Sequence, residues 1–207
     1  MPPSTYQKLV LARFSKDFRS AIETVQTPYR SPMANEIVVH NRYAGVNFTD
    51  IPLIMGRAPN HTKTPFDLGI ESIGEVVEVG DGVSDIKVGD YVVTMMFGNG
   101  YREYATVDHK LAVKVPEITP EYLSLLSAGV HAAIALNVVS PIDAGQRVLV
   151  TAALSSTGHY AVQLAKLAGG YVIGTCGTDE EAELLQSLGC DRIVNRKHET
   201  LEVVLKR

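Results

Sequence analysis

The sequence contains no tryptophan and only two cysteines, Cys176 and Cys190, among 207 residues. Both fall late in the chain and lack the paired spacing of a zinc module or a disulfide framework, so they read as two buried thiols. Basic runs are missing as well. Nineteen Lys and Arg against 23 Asp and Glu give a formal net charge of −4, and no Lys/Arg-rich segment offers a footprint for a phosphate backbone. Nucleic acid is therefore not expected as a partner. No run approaches the roughly 18 to 20 apolar residues that cross a bilayer, so no membrane span is expected. Residues 1–20 lack a signal-peptide apolar core because Lys8, Arg13, Lys16 and Asp17 interrupt them. These absences predict a soluble, intracellular protein. No internal repeat or low-complexity segment is found.

What is there is the composition of a packed globular chain, 45% hydrophobic and 20% charged. The length suits two domains. The rhythm of the sequence changes near residue 138. Up to Lys114, short β-rich runs alternate with Gly/Pro/Asp turns, predicting strands at Lys8–Phe14, Glu36–Val46, Ile73–Val79, Tyr91–Met96, Tyr104–Val107 and Leu111–Val115. Their spacing suggests a barrel-like fold. From Pro120 the pattern turns helical, with Tyr122, Leu123 and Leu126, then Ala132, Ala133 and Leu136, on helix-face spacings.

After the turn Ser140–Gly145, the apolar run Arg147–Thr151 predicts a strand buried on both faces. A helix over His159–Ala168 follows, ended by Gly169 and Gly170, and Tyr171–Thr175 is a second strand. Thr178-Asp179-Glu180-Glu181 fits a capping box at the head of the next helix, which Gly189 closes. Asp191–Asn195 reads as a third strand and Thr200–Lys206 as the start of another helix. The expected class is α/β: a β-barrel domain over residues 1–138, then the first half of a doubly wound, parallel-sheet dinucleotide-binding domain over 139–207.

The strand Arg147–Thr151, the turn through Ser155, Ser156, Thr157 and Gly158, and the helix behind it form the strand-turn-helix that holds a diphosphate at a helix amino terminus. The fingerprint usually has glycines where Ser155 and Ser156 stand. A plain strand-to-helix connection is the competing reading. Thr178, opening the next helix, joins the candidate cofactor-binding residues.

The upstream series Gly69-Ile70-Glu71-Ser72-Ile73-Gly74-Glu75-Val76-Val77-Glu78-Val79-Gly80, Gly82-Val83, Lys87-Val88-Gly89-Asp90-Tyr91-Val92 and Gly100-Tyr101-Arg102-Glu103-Tyr104, with Ala161–Lys166 downstream, resembles the medium-chain dehydrogenase/reductase superfamily. Pro65–Gly69, Val172–Cys176 and Ser187–Arg192 look like segments of its quinone and prostaglandin (enone) reductase branch. The resemblance implies a GroES-like barrel, a Rossmann domain, and NADPH-dependent reduction of the carbon-carbon double bond of enones such as 15-oxoprostaglandins. It implies small enone or lipid-derived substrates and a peroxisomal or cytosolic place, although Leu205-Lys206-Arg207 is no peroxisomal address. A homodimer is among the assemblies it allows. It also marks Asn47 as the family's active-site Asn, a candidate catalytic residue orienting substrate or cofactor. The alternative is a loop-shaping Asn.

Zinc-dependent relatives place a Cys where Asn47 stands and a His where Ile70 stands. An apolar Ile cannot coordinate zinc, which needs about three protein ligands and an open position, and His40, His61, His109, His131, His159 and His198 show no ligand spacing. No metal site is expected. Without a Lewis acid, conjugate addition to an enone is favoured over carbonyl reduction, because hydrogen bonds can hold the developing enolate. The family's Ser and Lys for the NADPH 2'-phosphate are replaced by Gly177 and Glu181, its Tyr by Arg196, and its Thr-Thr-Ala-Tyr stretch by Val130-His131-Ala132-Ala133. Glu181 reverses a charge, so NAD stays open beside NADPH, and an inactive fragment or degenerate paralogue stays open beside the reductase.

Overall fold

The computed structural model describes residues 2–58 and 63–206; His61 and Arg207 lie outside the described residues. The chain divides into two compact units, 1–126 and 127–207. The division falls inside the helical stretch that also holds the change of rhythm at 138.

In the first unit β1 (Thr5–Leu11), β2 (Ile22–Pro28) and β4 (Phe66–Asp67) form a three-stranded sheet in the order β2-β1-β4. β3 (Glu36–Ala44), β5 (Glu71–Val79), β6 (Tyr91–Met95), β7 (Tyr104–Asp108) and β8 (Ala112–Val115) form a five-stranded antiparallel sheet in the order β7-β3-β5-β6-β8. The barrel-like part is thus two sheets joined at one edge by the bridge Lys8↔Arg102, with no closing ladder among the described strands. Alternating side chains of the larger sheet bury Ile37, Val39, Val76, Val92, Ala105 and Val107 in one core. Leu11, Ala21, Leu53, Ile54 and Leu68 make a second core under the smaller sheet.

Two strands were not legible in the sequence. β2 is an edge strand with only partial burial on alternate positions, and β4 is two residues long. Neither carries an apolar alternation of its own; pairing with β1 makes them strands. β5 starts at Glu71, two residues before the apolar pattern, because Glu71 and Ser72 are buried polar residues.

Pro120–Val139 corrects the expectation that no stretch is long and apolar enough to cross a membrane, since this 20-residue helical stretch meets that test. The sequence pattern obscured it because Glu121, Ser124, Ser127, His131 and Asn137 interrupt its apolar residues. It comprises α3 (Pro120–Ser124) and α4 (Val130–Ile134), each followed by a π-helical turn, Leu125–Gly129 and Ala135–Val139. Leu123 packs with Ile73 and Val93, whereas Leu136 packs against the core of the second unit.

That second unit is a parallel sheet of β9 (Arg147–Val150), β10 (Tyr171–Cys176) and β11 (Arg192–Asn195), in the order β11-β10-β9. Helices α5 (Ser156–Leu167) and α6 (Asp179–Ser187) are the crossovers, and α7 (Leu201–Leu205) follows β11. Val150, Val162, Ala165, Val172, Cys176, Leu185 and Cys190 form the core. Both cysteines are free and buried, and burial pushes the Cys190 thiol up to about 11. Leu185 is fully buried, so Leu185→Ala should cost about 2–5 kcal/mol of stability, measured by urea unfolding of the chain.

Asp191 ties the end of α5 to the sheet. Its carboxylate accepts from Lys166 Nζ at 2.8 and 2.9 Å and from the Val172 amide at 2.7 Å. These donors, Lys166 first, hold its pKa below the usual carboxylate range. The unfolded chain therefore binds this proton at a higher pH than the folded one, and the stabilisation is lost as pH falls below about 4 through the lowered folded value. Asp191→Asn should flatten the acid limb of the stability-pH curve while lowering stability at pH 7.

Candidate functional sites

The sequence-predicted residues fall into two places, one in each unit. In the second unit β9 ends at Val150, and the chain turns through Ala152, a non-glycine residue at φ 48°. A left-handed alanine is uncommon and costs strain, a feature that concentrates at ligand-binding turns. The turn is tied to the end of the neighbouring strand, with the Ala152 amide donating to Thr175 Oγ1 at 3.0 Å and the Ala153 amide to the Thr175 carbonyl at 3.2 Å.

Ser155 is the N-cap of α5, its Oγ accepting from the Gly158 amide at 3.0 Å. That cap starts the helix at Ser156, three residues earlier than the apolar pattern indicates. Ser155 has φ −63°, an ordinary value for any residue, which explains why serine is tolerated where glycine is usual. Gly158 is buried where α5 crosses the strand exit: a Cβ there would lie 2.4 Å from the Ala152 carbonyl oxygen and 2.9 Å from Ala153 C. The tuck leaves Ser155, Ser156 and Thr157 exposed. The first-turn amides of Ser156 and Thr157 are among those a helix leaves without intrahelical partners, at the carboxyl edge of a parallel sheet where such domains bind ligands. The residues present thus fit a dinucleotide diphosphate.

Thr178 heads α6 beside the end of β10, and its hydroxyl accepts from the Glu181 amide at 3.2 Å. The Glu181 carboxylate reaches back one residue further than the expected capping box, accepting from the Gly177 amide at 2.6 Å. Arg196, just after β11, turns toward the same place: its Nε donates to the Cys176 carbonyl at 3.4 Å, and its Nη2 lies 3.8 Å from where a Gly177 Cβ would stand. A carboxylate and a guanidinium therefore flank the end of the second strand.

In the first unit Asn47 lies between β3 and α2 (Asp50–Ile54). Its amide Nδ2 donates to Glu71 Oε1 at 2.9 Å and to the Gly45 carbonyl at 3.4 Å, and its backbone amide donates to Asp50 Oδ2 at 2.9 Å. The Tyr101 hydroxyl donates to the same Asp50 oxygen at 2.6 Å. Burial, then the Asp50 bond and the negative charges of Asp50 and Glu71, raise the Tyr101 pKa. Asp50 and Glu71 are only 3% and 5% exposed, and Asp50 Oδ1 and Glu71 Oε2 have no hydrogen-bond partner among the described residues. The Glu71 side chain runs through the space a Gly45 side chain would need, with Oε1 2.1 Å from an ideal Cβ. Sequence reasoning missed Asp50, Glu71 and Tyr101 as Asn47's setting. The Gly69–Val79 series carries three acids, Glu71, Glu75 and Glu78, and nothing in its spacing marks Glu71 as the buried one. Among the described residues no three His, Cys, Asp or Glu side chains converge as metal ligands.

Residues 33–117 match the alcohol dehydrogenase GroES-like domain, and residues 156–207 match the zinc-binding dehydrogenase domain. The chain is 41% identical over 206 residues to prostaglandin reductase-3 of Mus musculus, covering 99% of this chain and 55% of that protein. It is 41% identical over 202 residues to a probable quinone oxidoreductase of Leishmania amazonensis, covering 97% of this chain and 59% of that one. It therefore spans little more than half the length of these relatives. Among solved structures, the Escherichia coli quinone oxidoreductase complexed with NADPH superposes with a TM-score of 0.83 at 27% identity, over 97% of this chain and 61% of that one. The CurK enoyl reductase superposes with a TM-score of 0.86 at 27% identity, over 99% and 63%. With a GroES-like domain followed by a dehydrogenase dinucleotide domain in this order, the chain belongs to the medium-chain dehydrogenase/reductase superfamily.

Proposed function

We propose that the protein is an NADPH-dependent oxidoreductase that reduces the carbon-carbon double bond of enones without a metal. The observation that carries this reading is the Gly158 tuck, which opens the first-turn amides of a 12-residue helix at the edge of the parallel sheet. The names of the relatives, prostaglandin reductase-3 and quinone oxidoreductase, supply the reaction class.

In this reading the amides of Ser156 and Thr157 bind the diphosphate, with Ser155 holding the turn. Thr178, Gly177 and Arg196 lie at the strand end where dinucleotide domains read the adenosine ribose. The bound nicotinamide supplies the hydride, and the protein supplies orientation and a dry setting. The donors around Asn47 do not suit zinc: Asn47 spends its amide on Glu71, Ile70 has no donor, and only the two carboxylates remain. A metal-free site favours conjugate reduction, in which the enolate is held by hydrogen bonds. An apolar recess of about 480 Å³ beside Asn47, walled by Val46, Phe48 and Ile51, suits a small enone or lipid-derived substrate.

Mixing the purified protein with NADPH and a panel of enones should consume the reduced cofactor's absorbance, and no turnover of any enone would sink the reading. A second reading, a non-catalytic degenerate member, is favoured by the Glu181 carboxylate on the Gly177 amide. It requires negligible NADPH binding, and micromolar affinity in titration calorimetry would overturn it.

A further inference from the structure

The amide of Asn47 has two kinds of polar atom, and the structure commits one of them. Its Nδ2 hydrogens face Glu71 Oε1 and the Gly45 carbonyl. Both neighbours are acceptors, one a carboxylate oxygen and the other a backbone carbonyl oxygen, so the amide presents its nitrogen to them. This orientation follows from the partners' chemistry and would be the same whichever way the amide were first drawn. Glu71 is itself held fast, because it is 5% exposed and fills the space above Gly45. The polar atom of the side chain left for a ligand is Oδ1, which accepts and cannot donate. Asn47 is half-buried and lines a recess that is apolar at Phe18, Val46, Phe48 and Ile51 and has Ser15, Lys16 and Asp50 as its other polar residues.

We propose that Glu71 is a positioning residue that turns Asn47 into a dedicated acceptor, so that the recess selects a bound molecule bringing an O–H or N–H donor to Asn47. The inference deepens the reductase reading and rests on it for its biological meaning. It assigns Asn47 the task of orienting a hydroxyl or amide group and removes it from the donors that hold an enolate oxygen. The donor comes from an organic substrate carrying a hydroxyl beside its apolar body.

The test compares 1-octanol with 2-octanone, probes alike in apolar body but opposite in donor capacity. Binding is read from the Asn47 side-chain amide resonances of 15N-labelled protein. Wild type, Asn47→Ala and Glu71→Gln are used. Glu71→Gln keeps the shape of the side chain but lets residue 71 donate, which frees the Asn47 amide to flip. The expected result is octanol bound about fivefold or more tighter than octanone in wild type, with the preference gone in both variants. Octanone bound as well as or better than octanol in wild type would overturn it. The wild-type ratio decides the proposal even if a variant fails to fold. Absence of enone turnover would remove the reductase reading and leave the alcohol preference as measured, so the two failures are distinguishable.

Discussion

Gly158→Ala is expected to weaken NADPH binding at least about tenfold and to lower stability by about 1–3 kcal/mol. The added methyl group would stand 2.4 Å from the Ala152 carbonyl oxygen, 2.9 Å from Ala153 C and 2.9 Å from Ser155 Oγ. Two of those three atoms belong to the backbone of the turn, so no rotamer change relieves the clash; α5 must retreat from the strand exit. Retreat removes the hydrogen bond from the Gly158 amide to Ser155 and displaces the amides of Ser156 and Thr157 together. Fluorescence titration with NADPH and urea unfolding read the two effects. Gly177→Ala is the control for stability, because its nearest neighbours would lie at 3.5 and 3.8 Å, ordinary contact distances at the tips of Glu181 and Arg196. Retained affinity in Gly158→Ala would show that the diphosphate does not sit on this turn.

Glu181→Lys is expected to tighten NADPH binding by about tenfold or more relative to NADH. In the proposed binding mode the acid lies where an adenosine 2'-phosphate would come, and a like charge roughly 5 Å away in surroundings of intermediate dielectric would oppose binding by a few kcal/mol before salt screening. Reversing its sign replaces that opposition with attraction and frees the Gly177 amide, which Glu181 now occupies at 2.6 Å. Arg196 already brings a guanidinium to this corner, so Arg196→Ala should selectively lower NADPH affinity and leave NADH nearly untouched. Dinucleotide domains read the ribose 2'-hydroxyl with an acid and the 2'-phosphate with an arginine at this strand end; in the proposed binding mode both are at hand, and their balance would set the preference. A ratio of the two affinities unmoved by Glu181→Lys would place the ribose elsewhere.

The parts of this protein that depend on local periodicity and turn chemistry were readable from its residues. The apolar run Arg147–Thr151, the cap at Thr178 and the terminating Gly169 and Gly189 specify the strand-helix alternation of the second unit, because each acts on its immediate neighbours. The glycine-punctuated series from Gly69 to Val92 carries the family membership in the same way. Edge strands β2 and β4 were hidden, since their stability comes from partners distant in the chain rather than from their own pattern.

Sequence alone determined the α/β class, the superfamily and the turn at Ser155–Gly158. Only tertiary structure decided that Asn47 is clasped by Glu71, 24 residues away, that Asp50 is shared with Tyr101, and that Arg196 and Glu181 both flank the end of β10. Those facts arise where strands and loops far apart in the chain converge, and the energy of a buried polar contact depends on geometry and desolvation that no spacing rule records.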